Sequence, residues 1–304
     1  MKNKKDFTRN LKREWPLHAM MLLPVIFLFV FQYIPLGGIV IAFQDYKPAK
    51  GIGGSKWVGL ENFIEVFTTP NFSNALQNTL IIAVVKILLD IIVPVSFALL
   101  LNEMRCSGVK RTVQTMVYLP HFLSWVLLSG IFVEILSPHG GLVNQIITFF
   151  GGKSVFFLGS NAWFRPILWI TDVWKDFGYS TIIYLAALTS IDPGLYEAAS
   201  LDGAGHMRKM WHITLTGIRP TIILMATLKI GSVLNAGFDQ VFNLYSPVVY
   251  ETGDIIDTLV YRLGLGGGNF SLSTAVSLFK STISGSLLLL AYKIAYKVSG
   301  YHVF

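Results

Sequence analysis

Eight ionisable residues stand inside long apolar stretches of this sequence, and their types are the ones that bind or move charged and polar groups. They are Lys86, Asp90, Glu134, Asp172, Lys175, Asp176, Lys229 and Lys280. A charge in a lipid-like environment costs about 2.5–3.5 kcal/mol near the centre, so each residue needs a partner or a water-filled cavity. A spacing of four residues predicts that Lys86 pairs with Asp90, and a spacing of three predicts that Lys175 pairs with Asp172.

Lys229 and Lys280 have no acidic residue three or four positions away. Lys280 stands about eight residues inside its apolar stretch, too deep for its ammonium group to reach water easily. One interpretation is that both lysines face a water-filled path, which would favour a hydroxyl-rich or anionic cargo. The other is that each pairs with an acid on a different helix, such as Asp176, or with one on a partner subunit.

Aromatic residues near these charges are candidates for stacking on the apolar face of a sugar ring. They are Trp125, Trp169, Trp174, Tyr179 and Tyr184, of which Trp174 and Tyr179 adjoin the charged cluster around Lys175. For any single one of them, packing against neighbouring helices or lipid is the commoner role.

A polar stretch of about twenty residues separates two long apolar runs. It contains Glu197, Gly203 and Gly205, and the basic pair Arg208 and Lys209. A simple turn between helices needs fewer residues, so a loop of this length predicts a docking surface. We refer to residues 192–217 as the polar elbow.

The composition requires a membrane protein. Hydrophobic residues make up 53% of the chain and charged residues 13%, with a mean hydropathy of +0.58. Crossing a hydrocarbon core of about 30 Å takes about 20 apolar residues. Six such runs predict an all-α polytopic protein with spans near 19–43, 78–102, 113–136, 165–191, 218–238 and 272–298. The chain then divides into a basic tail (1–18), the first span with an external loop (19–77) and a five-helix core that includes the polar elbow (78–304).

The distribution of Lys and Arg predicts which side each loop faces. With the N-terminus inside, fourteen of these residues lie in cytoplasmic segments and six in external ones. This agrees with the positive-inside rule and places both termini and the polar elbow in the cytoplasm. The same asymmetry accounts for the net charge of +7, so no nucleic-acid partner is expected.

Several kinds of chemistry have no motif in the sequence. The phosphate-binding pattern G-x-x-x-x-G-K-[ST] is absent, and no H-E-x-x-H or paired-cysteine metal pattern occurs. If transport is driven by ATP, the ATPase must be another polypeptide. The rival interpretations are a self-sufficient secondary transporter, which would favour internal repeats and proton-relay carboxylates, and a polytopic membrane enzyme, which would need a reactive cluster.

The polar elbow also resembles a known signature. It reads Glu197-Ala198-Ala199, three residues, Gly203, nine residues and Ile213-x-Leu215. This resembles the cytoplasmic "EAA" loop of permease subunits of binding-protein-dependent ABC importers, although that family usually has proline where this chain has Thr216. Four further segments are similar to the carbohydrate-uptake branch that handles oligosaccharides or polysaccharide fragments: 15–17, 33–35, 41–46 and 57–63.

The resemblance implies a permease fold whose EAA loop forms two short helices, bent near Gly203, that sit in a groove of the ATPase. Small Ala198 and Ala199 would allow close approach, while Glu197 and Arg208 would meet groove residues. It also implies a second permease subunit, two ATPase subunits that bind ATP and Mg, and an external solute-binding protein. This chain would hold no cofactor, would lie in the bacterial cytoplasmic membrane and would alternate between outward-open and inward-open states. Lys229, Lys280, Trp174, Tyr179 and Lys175 are the candidate residues of the sugar path.

Overall fold

The structure, a computed structural model, describes the backbone of residues 4–299 and the side chains of residues 14–297. Its regular structure is helical, as predicted, apart from two short strands. Residues 1–3 of the predicted tail and 300–304 of the predicted core lie outside the described residues. The chain forms two compact units, one from the residues up to Val66 with Leu263–Leu278, the other from Phe67–Arg262 with the residues from Phe279 on.

The first unit begins with a nearly continuous helical run. Helix α1 (Lys4–Leu28) is followed by a π-helical turn over Phe29–Tyr33, by α2 (Ile34–Leu36) and by a 3-10 segment over Gly37–Phe43. Pro35 has no N–H to donate to the carbonyl of residue 31, and the π turn ends two residues before it. Most of the predicted basic tail is therefore helical, and the helix begins well before residue 19.

A small strand pair follows this run. Strand β1 (Gln44–Asp45) pairs antiparallel with β2 (Lys56–Trp57), with α3 (Gly51–Gly54) between them. Helix α4 (Glu61–Thr68) comes next, and its buried Asn62 donates from Nδ2 to the carbonyl oxygens of Ala42 and Gln44 at 2.8 and 3.0 Å. One amide side chain therefore joins this helix to the end of the first helical run.

The second unit holds most of the remaining helices. They are α5 (Phe72–Glu103), α6 (Ser107–Tyr118), α7 (Trp125–Ile135), α8 (Leu142–Phe149), α9 (Asn161–Thr189), α10 (Pro193–Leu201), α11 (His206–Lys209), α12 (Leu215–Gly231), α13 (Phe238–Leu244), α14 (Tyr250–Gly253), α15 (Ile256–Tyr261) and the second part of α16 (Phe270–Ser299).

Helices α5 and α9 form the centre of this unit. Ile82 of α5 and Phe164 and Leu168 of α9 are fully buried in one apolar cluster. A second cluster contains Val95 of α5 and Tyr184 of α9. The two helices therefore pack along much of their length, and the remaining helices are arranged around them.

Four helices among the described residues are long and apolar enough to cross a membrane: Glu14–Phe43, Phe72–Glu103, His206–Gly231 and Phe270–Lys297. A fifth crossing is possible if Ser107–Phe122 and Trp125–Ile135, which are bent by 103°, form one broken span. The predicted fourth span corresponds to α9, whose 29 residues are about 43 Å long. Helix α9 contains too many charged residues to be counted as a membrane span by apolar composition alone. Six spans therefore stay a prediction.

The predicted fifth span, 218–238, is wrong at both ends. The helix that contains residues 218–231 of it begins in the polar elbow at His206 and ends at Gly231, seven residues before the predicted end. The segment Gly231-Ser-Val-Leu-Asn-Ala-Gly237 contains residues that favour turns, and the chain leaves the helix there.

A close contact between α6 and α9 makes a specific prediction. A Cβ added at Gly178 would lie 2.1 Å from the carbonyl oxygen of Val117, which cannot move without displacing the backbone. We expect Gly178→Ala to destabilise the subunit by about 1–3 kcal/mol, as overpacking does. The yield of monodisperse protein after detergent extraction and mild heating measures this loss.

Gly130 on α7 provides the matched control. A Cβ added at Gly130 would have no atom within 4 Å, so Gly130→Ala adds the same methyl group to open space. Equal yields of the two variants would contradict the close packing of α6 against α9.

Candidate functional site

The polar elbow begins at a well-defined helix start. Asp192 precedes α10, and its Oδ1 accepts a hydrogen bond from the N–H of Gly194 at 2.9 Å. Pro193 occupies the first helical position, where its missing N–H leaves no helical bond unmade. This local chemistry fixes where α10 starts.

Gly203 ends α10 in a left-handed conformation, with φ of +74°. The N–H of Ala204 donates to the carbonyl of Ala199 at 2.8 Å, and the N–H of Gly203 donates to that of Ser200 at 3.1 Å. These two bonds form the Schellman motif, which favours glycine at the left-handed position. A bend near Gly203 was expected from the resemblance, and the backbone has it.

The chain after the bend differs from the expected pair of short helices. Helix α11 continues through a π-helical segment, Met210–Thr214, into α12, so His206–Gly231 is one helical run. Thr216, which stands where proline is usual, keeps a backbone N–H and donates from Oγ1 to the carbonyl of Trp211 at 3.3 Å. The second half of the elbow runs directly into a membrane-crossing helix, which also accommodates Pro220.

Two side-chain contacts hold the halves of the polar elbow together. The hydroxyl groups of Tyr196 and Thr214 are 3.0 Å apart, and Lys209 Nζ donates to Ser200 Oγ at 3.0 Å. Both contacts join α10 to the following helical run, so the elbow is a defined structure and not an open loop.

The surface of the polar elbow is suited to binding another protein. Glu197, Ala198, Gly203 and Arg208 are exposed, while Ala199 is partly buried. Four large apolar side chains are also exposed: Leu195, Leu201, Met207 and Trp211. Exposed large apolar side chains in a short segment that also carries exposed charges are typical of an interaction site.

A second candidate site lies where the long helical run ends. A cavity of about 210 Å³ opens beside residues 232–237. Its charged and amide-bearing lining residues are Lys86, Asp90, Asp172, Asp176, Lys229 and Asn235. We call this space the charged cavity. Its polar lining and its position at a break in a helical run make it the candidate for contact with a hydrophilic cargo.

Lys86 organises one wall of the charged cavity. Its ammonium group donates to Asp172 Oδ1 at 2.8 Å, to the carbonyl of Ala236 at 2.9 Å and to the Oε1 of Gln240. A Cβ at Gly237 would lie 2.7 Å from Lys86 Nζ, so glycine allows the lysine to approach the backbone. The predicted pairing of Lys86 with Asp90 is wrong, because the two side chains bond to different helices.

Asp90 pairs instead with Lys229, whose Nζ is 2.5 Å from Asp90 Oδ2. Lys280 pairs with Asp257 at 2.5 Å, with both groups on the second unit. The alternative in which each lysine finds an acid on another helix is therefore correct, although neither uses Asp176. Lys229 lines the charged cavity, while Lys280 is neutralised at α15.

Asp176 anchors a neighbouring cluster. Its Oδ1 is 2.7 Å from His121 Nδ1 and 3.5 Å from Lys175 Nζ. Lys175 also donates to the backbone carbonyl of His121 at 2.9 Å, and Tyr179 stacks on the His121 ring with centroids 4.0 Å apart. The predicted pairing of Lys175 with Asp172 is therefore wrong, because Lys86 holds Asp172.

Trp174 lies on a different surface from Lys229. It lines an apolar groove of about 450 Å³ together with Phe132, whose ring meets the indole edge to face at 5.7 Å. Of the five candidate path residues, the structure therefore brings Lys175 and Tyr179 to one cluster, Lys229 to the charged cavity, Trp174 to an apolar groove and Lys280 to a separate ion pair.

A segment held by an ion pair and hydrogen bonds lies at the predicted external end of α9. Arg262 forms a two-pronged ion pair with buried Asp254 at 2.6 Å and stacks over the ring of Tyr250. The hydrogen bonds that Arg262 donates to Asp254 raise the pKa of Arg262 above its usual range, so this charge persists at any accessible pH. Arg165 of α9 donates to the carbonyl of Thr252 at 3.0 Å, which ties the segment to the helix.

Two polar residues of the site, Gln240 and His121, were not predicted from the sequence. Gln240 is fully buried, and its Nε2 donates to the Leu168 carbonyl and to Thr171 Oγ1, both at 2.8 Å. His121 sits beside Asp176. The turn residues before Gln240 indicate that the helical run ends there. Spacing along the chain does not show, however, that Gln240 contacts Thr171 or that His121 contacts Asp176.

Comparison with known proteins identifies the family. Residues 91–296 match the model of the "Binding-protein-dependent transport system inner membrane component" family. The polygalacturonan/rhamnogalacturonan transport system permease protein YteP of Bacillus subtilis is 47% identical over 92% of this chain and 88% of its own. Protein LplB of the same organism is 42% identical over 94% of this chain and 90% of its own.

Solved structures with the same fold support the family assignment. A chain in the crystal structure of a bacterial ABC transporter involved in the import of the acidic polysaccharide alginate superposes with a TM-score of 0.88 at 37% identity. The match covers 97% of this chain and 99% of that one. A second structure of such a transporter, with an alginate pentasaccharide-bound periplasmic protein, matches equally well. The chain therefore belongs to the binding-protein-dependent transport system inner membrane component family, the permease subunits of ABC importers.

Proposed function

We propose that this chain is the membrane-crossing subunit of an ATP-driven importer that takes up oligosaccharides delivered by an external solute-binding protein. The relative with 47% identity is named for polygalacturonan and rhamnogalacturonan transport, and the matching structures are described as alginate importers. These names support a cargo made from a polysaccharide.

The proposed topology has six spans in the bacterial cytoplasmic membrane with both termini in the cytoplasm. Helix α9, the fourth span in chain order, completes the six, and its charges are compatible with that role because Asp172, Lys175 and Asp176 each have a partner of opposite charge. The excess of Lys and Arg in the segments assigned to the cytoplasm supports the orientation.

The observation that carries the mechanism is the continuity of the run from His206 to Gly231. Its 26 residues make a rod about 39 Å long. One end belongs to the polar elbow, and Lys229 near the other end bonds Asp90 at the charged cavity. A force applied to the elbow by an ATPase subunit would therefore reach the cavity without an intervening flexible joint, as alternating access requires.

The proposed sugar path runs beside the charged cavity and the cluster around Asp176. Two lysines and three carboxylates line the cavity, so it presents no excess of positive charge. Ammonium and carboxylate groups can both hydrogen-bond to sugar hydroxyls. Tyr179, about two-fifths exposed in the cluster around Asp176, offers an aromatic ring for stacking, whereas Trp174 lies in the separate apolar groove. The path thus suits a hydroxyl-rich cargo.

Companion subunits provide the test. When the tagged chain is purified from its own host in mild detergent, we expect a second permease and an ATPase subunit to co-purify. The purified assembly should hydrolyse ATP faster when the substrate-loaded binding protein is added. ATP-dependent uptake of an oligosaccharide into proteoliposomes completes the measurement.

A self-sufficient secondary transporter gives the opposite result. The chain purified alone would then accumulate cargo in liposomes without ATP, driven by an ion gradient. That outcome would contradict the proposal, as would uptake that is unaffected by removal of the ATPase subunit.

A further inference from the structure

Helix α8 has an apolar face that the rest of the chain does not cover. Leu142, Ile146, Phe149 and the adjoining Phe150 recur at helical spacing and are 59%, 59%, 85% and 81% exposed. Four large apolar side chains in one uninterrupted stripe need an apolar partner. From this helix we infer that α8 lies flat in the outer leaflet interface of the bilayer, with lipid as the occupant of the stripe.

The position of α8 is fixed by a buried polar residue. Asn144 donates from Nδ2 to the carbonyls of Ser137 and Val155 at 2.9 and 3.0 Å, and its Oδ1 accepts from the Val155 N–H at 2.8 Å. Ser137 follows the end of α7 by two residues, and Val155 precedes the start of α9 by six. Helix α8 is therefore held at the ends of two transmembrane elements, which is the depth of the lipid headgroups.

The sides of α8 divide into three environments. Val143 and Ile147 pack against the protein core, and Gln145 and Thr148 form a polar exposed side. At 3.6 residues per turn, the core side, the polar side and the apolar stripe are each about a third of a turn apart. A helix that lies in the membrane plane against the flank of a bundle meets protein, water and lipid on three such sides.

Charge favours lipid over a protein partner. Between the end of α7 and the start of α9 the sequence has no acidic residue, and its one Lys or Arg is exposed Lys153. A single cation three residues beyond Phe150 suits a lipid phosphate, whereas protein interfaces usually have polar rims with several hydrogen-bonding groups. Trp163, about half exposed at the start of α9, is a residue type enriched at the same depth.

Site-specific fluorescence tests this inference, which rests on the membrane-crossing part of the proposed function. Cys106 is the single cysteine of the sequence, so Cys106→Ser leaves this subunit without thiols, and companion subunits without cysteines complete the background. Phe149→Cys places a polarity-sensitive nitrobenzoxadiazole probe on the stripe. Thr148→Cys places the same probe one residue away on the polar side, as the matched control. The full transporter complex is then placed in lipid nanodiscs without binding protein.

We expect the probe at 149 to emit at shorter wavelength than the probe at 148. A nitroxide on the upper acyl chain should quench the probe at 149 several-fold more strongly, and aqueous iodide should quench it several-fold less. Unchanged ATPase activity in both labelled complexes shows that the fold is intact. If the probe test fails while ATP-coupled uptake remains, the inference about α8 is wrong and the proposed function stands.

Three results would overturn the inference. Equal iodide quenching at both positions would mean that the stripe faces water. Protection from iodide without quenching by the nitroxide lipid would mean that another subunit covers it. Protection that appears only after loaded binding protein is added would make the stripe a docking site for that protein.

Discussion

Replacing Gly203 with proline should abolish coupled uptake while leaving the subunit in the membrane. Proline fixes φ near −65°, whereas residue 203 has φ of +74°. Proline also removes the N–H that bonds the Ser200 carbonyl at 3.1 Å. The bend between α10 and the following helical run cannot then form, so the elbow loses the shape that an ATPase subunit would grip. ATP-dependent uptake and stimulated ATPase activity measure the loss.

A graded series at this position isolates the backbone effect. No atom lies within 4 Å of a Cβ at residue 203, so substitutions there meet strain without a steric clash. Gly203→Ala should cost about 1–2 kcal/mol through the left-handed conformation, and Gly203→Asn less, because asparagine tolerates that region. Gly205→Ala, at φ of −68° and also in open space, is the matched control and should couple normally. Normal coupling in Gly203→Pro would contradict the docking role of the elbow.

Local residues explain the start and the bend of the elbow, although the bend was predicted from the family resemblance and the second short helix of that prediction is part of a longer run. Asp192 before Pro193 begins α10, and Gly203 permits the bend that ends it, because capping and left-handed turns depend on residues close together in the chain. The long apolar runs likewise predicted most of the long helices, since hydrophobic length is itself what a membrane helix needs. The end of the run from His206 was predicted too late in the chain, although the turn-favouring residues between Gly231 and Gly237 indicate it.

The ion pairs could not be predicted from local spacing. A separation of four residues places Lys86 and Asp90 near each other on α5, but it does not say which helices face that side. In the structure Lys86 reaches Asp172, 86 residues away, and Asp90 reaches Lys229, 139 residues away. Packing against α9 and α12 decided both pairs, because a buried charge takes the partner that the neighbouring helix presents. One sequence cannot specify that neighbour.

Removing one member of the Asp90–Lys229 pair should harm the importer more than removing both. Asp90 and Lys229 are 2.5 Å apart with side chains 14% and 26% exposed, so either single change leaves a mostly buried charge without its partner. Losing one partner of a buried pair typically costs about 3–5 kcal/mol, whereas replacing both with uncharged groups of similar size can be nearly neutral. We therefore expect Asp90→Asn and Lys229→Met each to lower the thermal stability of the purified complex, and the double variant to recover most of it.

Uptake by the same three variants separates a structural role of Lys229 from a role in the sugar path. If the ammonium group contacts cargo, the double variant regains stability but takes up sugar with a raised KM, because a hydrogen-bond donor in the charged cavity is missing. Recovery of both stability and KM would limit the pair to holding α12 against α5 and remove Lys229 from the path. Lys280→Met with Asp257→Asn is the matched control, since that pair has the same 2.5 Å separation away from the cavity residues. Single variants as stable as the original protein would contradict the buried pairing, because a charge without a partner at this depth lowers stability.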